Sequence, residues 1–252
     1  SGPESDLNQT VNTQPVMLTA GIAAWRAWLA AGGAVPAIVA GHSLGEYTAL
    51  VAAGALDFRD ALPLVRFRAQ AMQEAVPAGM GAMAAILGLD AAAVAAICAE
   101  AAGDPANARV VESVNFNGPE QIVIAGHKDA VERAVAMAAE RGAKKGVLLP
   151  VSAPFHSSLL KPAAERLAAK LAGVTFNAPA IPVLHNVDVT ERPAPEAIRA
   201  ALAQQAASPV RWVEIIQAFA ARGVTHVVEC GPGRVLSGMN KRIARELKSL
   251  AL

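Results

Sequence analysis

Apolar positions along the chain follow two rhythms, which change over at residue 79 and again at residue 152. Residues 19–31 place alanine and tryptophan at helical spacing and stop at Gly32-Gly33. Ala37-Ile38-Val39-Ala40 is a short apolar run ended by Gly41, the pattern of a buried strand. Residues 44–53 are helical again, and Asp57 is placed to cap a helix that runs to Ala75, punctuated by Pro77 and Gly79. The middle segment differs. Residues 82–87 read as a strand, 91–102 as a helix, 109–115 and 121–125 as two strands around the turn Asn117-Gly118-Pro119, 128–141 as a helix and 146–151 as a strand. That βαββαβ order is the ferredoxin-like one. From Ser152 the first rhythm returns, with helices at 160–171, 198–206 and 209–222, strands at 181–185 and 225–230, and a last helix after Gly231-Pro232-Gly233. The pattern predicts an α/β fold with a mainly parallel sheet flanked by helices on both faces. Residues 1–78 and 152–252 form its large unit, and 79–151 an inserted ferredoxin-like subdomain.

Composition narrows the chemistry. Of the 252 residues 54% are hydrophobic, much of it alanine, and only 4% aromatic, so the core is built of small side chains. A net charge of +1 argues against nucleic acid as a partner, and any anionic ligand must be held by local charges. Cys98 and Cys230 have neither metal-ligand nor disulfide-framework spacing, which predicts no metal and a reducing, cytoplasmic setting. The longest apolar stretches, such as 91–98, are too short to cross a membrane, and no signal peptide is seen. The chain opens at Ser1 with a polar stretch, so either a leader has been removed or a longer protein is expected.

Gly41-His42-Ser43-Leu44-Gly45 fits G-x-S-x-G between a predicted strand and a predicted helix. That is the setting of a nucleophile elbow, where a serine on a strained turn needs small neighbours, here Gly41 and Gly45. The Leu44 N–H is then available to an oxyanion. Such an elbow serves lipases, esterases and acyltransferases alike. A nucleophilic serine needs a base, and the chain has five histidines. His42 adjoins the nucleophile and aims elsewhere, and His127 opens a helix. His185 and His226 lie in strand-like runs, as satisfied core histidines do. His156 follows the irregular stretch Ser152-Ala153-Pro154-Phe155 where the chain re-enters the large unit. Asp188 with His226 would complete a hydrolase order Ser…Asp…His. Gly231-Pro232-Gly233 lacks the spacing of a phosphate loop and reads as a turn.

Gly41-His42-Ser43-Leu44-Gly45-Glu46-Tyr47 resembles the signature of malonyl-CoA:acyl-carrier-protein transacylases. The resemblance continues through Arg66-Phe67-Arg68-Ala69-Gln70-Ala71-Met72-Gln73, Gly81-Ala82-Met83-Ala84-Ala85 and Val114-Asn115-Phe116-Asn117. It extends to Val151-Ser152-Ala153-Pro154-Phe155-His156-Ser157, Pro209-Val210-Arg211-Trp212 and Glu229-Cys230-Gly231-Pro232-Gly233, in family order. It implies a hydrolase-like α/β domain with a ferredoxin-like insertion. It further implies transfer of malonyl from malonyl-CoA to acyl carrier protein, through Ser43 as nucleophile and His156 as base. The histidine would be oriented by the main-chain carbonyl of Gln205, and Arg68 would bind the substrate carboxylate, as an arginine fork suits. Phe155 would restrict space at the substrate's α-carbon, and Asn115 matches a polar site position. No cofactor or metal is implied, and a monomer working in fatty-acid synthesis is the expectation. Lys144 and Lys145 are either contacts for coenzyme A phosphates or the carrier, or a solvated pair. The family's opening strand and its Gly-Gln-Gly-Ser-Gln loop, which brings a second oxyanion N–H, do not occur ahead of Thr13-Gln14-Pro15. Their lack predicts an unpaired sheet edge. Two rival readings remain at this stage: a serine ester or thioester hydrolase, and a non-catalytic carrier-docking fragment.

Overall fold

The structure, a computed structural model, describes residues 2–107, 109–151 and 153–252. Ser152, where the second change of rhythm falls, and Ser1 lie outside the described residues. The elements in order are α1 (Glu4–Leu7), α2 (Thr10–Ala30), β1 (Val39–Ala40), α3 (Gly45–Ala52), α4 (Phe58–Glu74), β2 (Gly81–Leu87), α5 (Ala91–Ala101), β3 (Val111–Gly118) and β4 (Gln121–His127). They continue with α6 (Lys128–Glu140), β5 (Lys145–Leu148), α7 (Lys161–Leu171), β6 (Val183–Leu184), α8 (Pro195–Gln205), α9 (Trp212–Ala221), β7 (His226–Glu229), α10 (Val235–Ile243) and β8 (Lys248–Ala251). No helix among the described residues is long and apolar enough to cross a membrane.

The fold is mixed α/β, with sheet flanked by helices. In the middle segment β2 runs antiparallel to both β4 and β5, and β3 antiparallel to β4, giving the order β3-β4-β2-β5. Helices α5 and α6 cover one face through Ile86, Ile97, Ile122, Ile124 and Val131, all buried. The flanking segments supply parallel pairs, β1 with β6 and β7 with β8. These pairs are short, and they are not joined to each other. The four-stranded sheet of the middle segment is therefore antiparallel, and the parallel pairs of the flanking segments are two-stranded. A separate core, drawn from the segments on either side of the middle one, gathers Leu18, Tyr47, Leu50, Leu64, Leu167 and Leu202.

Two boundaries depart from the sequence reading. Helix α2 starts at Thr10 rather than at residue 19, with Pro15 inside it. Proline weakens the sequence signal because it removes an i→i−4 hydrogen bond, yet buried Gln14, Leu18 and Ile22 keep this stretch helical by tertiary packing. Strand β8 was not anticipated, since its residues show no alternation and only Ser249 is buried; pairing with β7 makes it a strand. By contrast Asp57 does cap α4, its carboxylate accepting the Arg59 N–H at 2.7 Å, a contact worth about 1 kcal/mol. The middle segment is tied back by Val210, whose N–H reaches the Val114 carbonyl at 2.8 Å and whose carbonyl accepts the Phe116 N–H at 3.0 Å.

Candidate active site

Ser43 sits between β1 and α3 with φ +52, a left-handed backbone that a side-chain-bearing residue adopts only under tertiary constraint. Gly41 is what allows the turn. A Cβ there would lie 1.9 Å from the Gly45 carbonyl carbon and oxygen, so only glycine fits. Gly45 was expected to be small for the same reason, and the structure corrects this. A Cβ on Gly45 would meet nothing within 4 Å, because it faces the cavity rather than the turn. Asn186 straps the turn from both sides. Its Oδ1 accepts the Ser43 N–H at 2.7 Å, and its Nδ2 donates to the Gly41 carbonyl at 2.8 Å. Among the described residues no hydrogen bond takes up the Leu44 N–H.

The Ser43 Oγ lies 2.7 Å from His156 Nε2, and His156 Nδ1 lies 2.9 Å from the Gln205 carbonyl oxygen. A carbonyl can only accept, so Nδ1 carries the proton and Nε2 is left free to take one from the serine. His156 is itself left-handed at φ +66 and is buried. Burial first, and the Arg68 charge second, pull its pKa from 6.5 to about 3. The imidazole is therefore neutral at physiological pH.

Arg68, on α4, is 1% exposed. Its guanidinium donates to Gln14 Oε1 at 2.7 Å, Gln205 Oε1 at 2.9 Å and the Ser43 Oγ at 3.1 Å, and its plane lies over Tyr47. Its Nε–H is buried and has no hydrogen-bond partner among the described residues. Burial lowers its pKa from the usual value, but a guanidinium keeps its charge at neutral pH. No carboxylate among the described residues forms an ion pair with it. Its hydrogen-bonding partners Gln14, Gln205 and Ser43 are all neutral, and the nearest carboxylate, Glu46, acts on it across the Gln205 amide. Ser43, Arg68, His156, Asn115 and Phe155 all line one cavity of about 720 Å³, which also reaches Val39 of β1 and Val227 of β7.

The chain matches the family described as Acyl transferase domain over residues 1–250. It is 54% identical over 251 residues to the malonyl CoA-acyl carrier protein transacylase of Escherichia coli K12, covering 100% of this chain and 80% of that one. The crystal structure of acyl-carrier-protein S-malonyltransferase from Burkholderia pseudomallei superposes with a TM-score of 0.97 at 62% identity, again covering 100% and 80%. A type II PKS acyl-carrier protein in complex with its malonyl-transacylase gives a TM-score of 0.96 at 49% identity, with the same coverage. The chain belongs to the malonyl CoA-acyl carrier protein transacylase family.

In this transacylase-family chain the predicted residues Ser43, Leu44, Arg68, His156 and Gln205 come together within hydrogen-bonding range of one another or of the turn. Asn115 sits at the β3 bridge to Val210, and its buried Oδ1 has no partner. Phe155 packs beside Val76 and lines the cavity. The other histidines are engaged elsewhere. His42 bonds Asn117 Oδ1 at 2.8 Å and lies against Trp212, and burial lowers its pKa. His127 Nδ1 accepts the Val110 N–H. The alternative Asp188–His226 pair is not formed. Asp188 is bound by Arg192, which holds its pKa at about 2, while exposed His226 bonds Thr225. Lys144 forms an exposed ion pair with Glu120. Sequence reasoning missed Gln14, Asn117 and Asn186, and gave Glu46 no role. Only Glu46 carried a signal, as the one acidic residue of the Gly41-His42-Ser43-Leu44-Gly45-Glu46-Tyr47 motif.

Proposed function

We propose that this protein transfers the malonyl group from malonyl-CoA to the phosphopantetheine thiol of acyl carrier protein through a malonyl-serine intermediate. His156 Nε2 takes the proton of the Ser43 hydroxyl as Oγ attacks the thioester carbon. The C–S bond breaks, and His156 returns the proton to the departing coenzyme A sulfur. The carrier thiol then gives its proton to His156 and attacks the serine ester. The C–O bond breaks, the proton returns to Ser43 Oγ, and the malonyl thioester of the carrier is released. The unused Leu44 N–H is placed to take charge developing on the carbonyl oxygen. None of these steps is routed through a metal or redox group.

The observation that carries the reading is the Arg68 guanidinium, buried beside the nucleophile with no carboxylate of its own. A serine hydrolase of neutral esters has no use for it, whereas the free carboxylate of malonyl supplies the missing anion. The same reading takes residues 79–151 as a ferredoxin-like subdomain inserted into a hydrolase-like unit of 1–78 and 152–252. The βαββαβ order and the strand order β3-β4-β2-β5 support it.

Brief mixing with malonyl-CoA, followed by intact-protein mass measurement, tests the proposal. A stable malonyl adduct that disappears in Ser43→Ala is the expected outcome. Free malonate without an adduct makes the chain a hydrolase, and an adduct that survives Ser43→Ala overturns the nucleophile.

A further inference from the structure

We propose that Glu46, resting on the reading of Arg68 above, is a positioning residue that sets the aim of both the carboxylate-binding arginine and the Ser43 elbow. Glu46 lies in the first turn of α3, three residues beyond Ser43, and is wholly buried. A buried carboxyl group is tolerated only when its oxygens are satisfied. Here Oε2 accepts the Asn186 N–H at 2.9 Å and Gln205 Nε2 at 2.8 Å, while Oε1 faces His185 Nδ1 at 2.7 Å. These partners stand about 140 to 160 positions away in the chain.

The contact with Gln205 decides the arginine. The Gln205 amide has a donating end and an accepting end. Its Nε2 faces Glu46 Oε2 and the Ser43 carbonyl, at 2.8 and 3.0 Å, and both are acceptors. Reversing the amide would set its oxygen against two acceptors and its NH2 against the guanidinium donors. Glu46 and the Ser43 carbonyl together therefore turn Gln205 Oε1 to face Arg68. The arginine gains a fixed acceptor that carries no charge. A direct Glu46–Arg68 ion pair would occupy the guanidinium that the substrate needs; the interposed amide orients it and keeps the carboxylate out of hydrogen-bond contact with it.

The contact with Asn186 decides the elbow. Glu46 holds the Asn186 backbone, and the Asn186 side chain bonds the Ser43 N–H and the Gly41 carbonyl across the strained turn. One carboxyl group thus keys the nucleophile and the specificity group to the same point.

The test is kcat/KM for malonyl-CoA and acetyl-CoA in the full chain and in Glu46→Met, Glu46→Gln, Arg68→Ala and Glu46→Met/Arg68→Ala. Glu46→Met should slow both substrates through the loosened elbow and should lower the malonyl/acetyl ratio a further tenfold or so, the scale of one hydrogen bond to a charged group. Glu46→Gln keeps one acceptor oxygen for Asn186 and Gln205 and should restore most of the ratio. In the Arg68→Ala background Glu46→Met should leave the ratio where Arg68→Ala alone puts it, because the two act in series. Equal losses for both substrates in Glu46→Met, with Arg68→Ala still selective, overturn the proposal and spare the reading of Arg68. An unselective Arg68→Ala overturns both. If Glu46→Met does not fold, Gln205→Met decides. It keeps the carbonyl for His156 and removes the relay, so it must lower the ratio, and an unchanged ratio overturns the proposal.

Discussion

The four-stranded sheet and the Ser43 elbow are stabilised in opposite ways. The sheet pairs β2 with β4 through seven consecutive residue pairs without a slip, and its helix-facing side buries Ala84, Ile86, Ile122 and Ile124 against α5 and α6. Around the elbow the buried groups are Glu46, Arg68, His156, His185, Asn186 and Gln205. They are joined by hydrogen bonds that span up to 162 positions. Apolar burial is non-directional, so many side chains of similar volume serve it equally. Buried polar groups are directional, and each one left unmatched costs its full desolvation. The first region therefore tolerates exchange with graded cost. The second is expected to lose function outright or selectively.

The largest effect should come from His156, the proposed base. His156→Ala should slow acyl-enzyme formation by about 10²–10⁴-fold with little change in Tm, read by rapid-quench mass measurement. Retention of the wild-type rate would move the base elsewhere. Arg68→Ala should come next. Loss of a buried charge partner costs about 3–5 kcal/mol, so kcat/KM for malonyl-CoA should fall some 10²-fold or more while acetyl-CoA, without a carboxylate, changes little. Arg66→Ala is the matched control two positions away, exposed on the same helix, and should alter either substrate by less than about 0.5 kcal/mol. Equal losses for both substrates in Arg68→Ala would make that arginine structural.

In the sheet, Ile124→Val should cost about 0.5–1.5 kcal/mol in denaturant unfolding and leave the malonyl/acetyl ratio unchanged. A shifted ratio would mean that the two regions are coupled and that the contrast is false. The smallest effect concerns pH. An ordinary histidine base loses about tenfold in its neutral fraction between pH 7.5 and 5.5. Burial and Arg68 hold His156 at about 3, so the acid limb moves down and acylation should stay flat within about twofold across that range. Arg68→Ala removes one depressing charge and should move the limb back toward neutrality. A wild-type limb near 6.5 would contradict the buried, neutral imidazole.

Much of this was legible in the chain because it depends on local pattern. The strand-like apolar runs at residues 82–87 and 121–125 are a property of neighbours, and so are the Asp57 cap and the glycine-bounded turn at Ser43. The Pro15 turn of α2 and the strand β8 were not legible, because packing and pairing with distant residues override weak local signals there. In the site, Ser43 was legible from its own motif, and His156, Arg68 and Gln205 from resemblance. Gln14, Asn117 and Asn186 were not, since a buried amide carries no periodic mark.

By itself the sequence determined that a strand–turn–helix would present Ser43, that an antiparallel unit would follow, and that the catalytic candidates would come from its two ends. These outcomes rest on steric and hydrophobic periodicity over a few residues. Only the tertiary structure decided which way the Gln205 amide faces, that no carboxylate among the described residues pairs with the buried Arg68 charge, and that Glu46 bonds both Gln205 and Asn186. The reason is physical. Hydrogen-bond direction and desolvation depend on what surrounds a group in space, and here those surroundings come from segments up to about 160 positions apart.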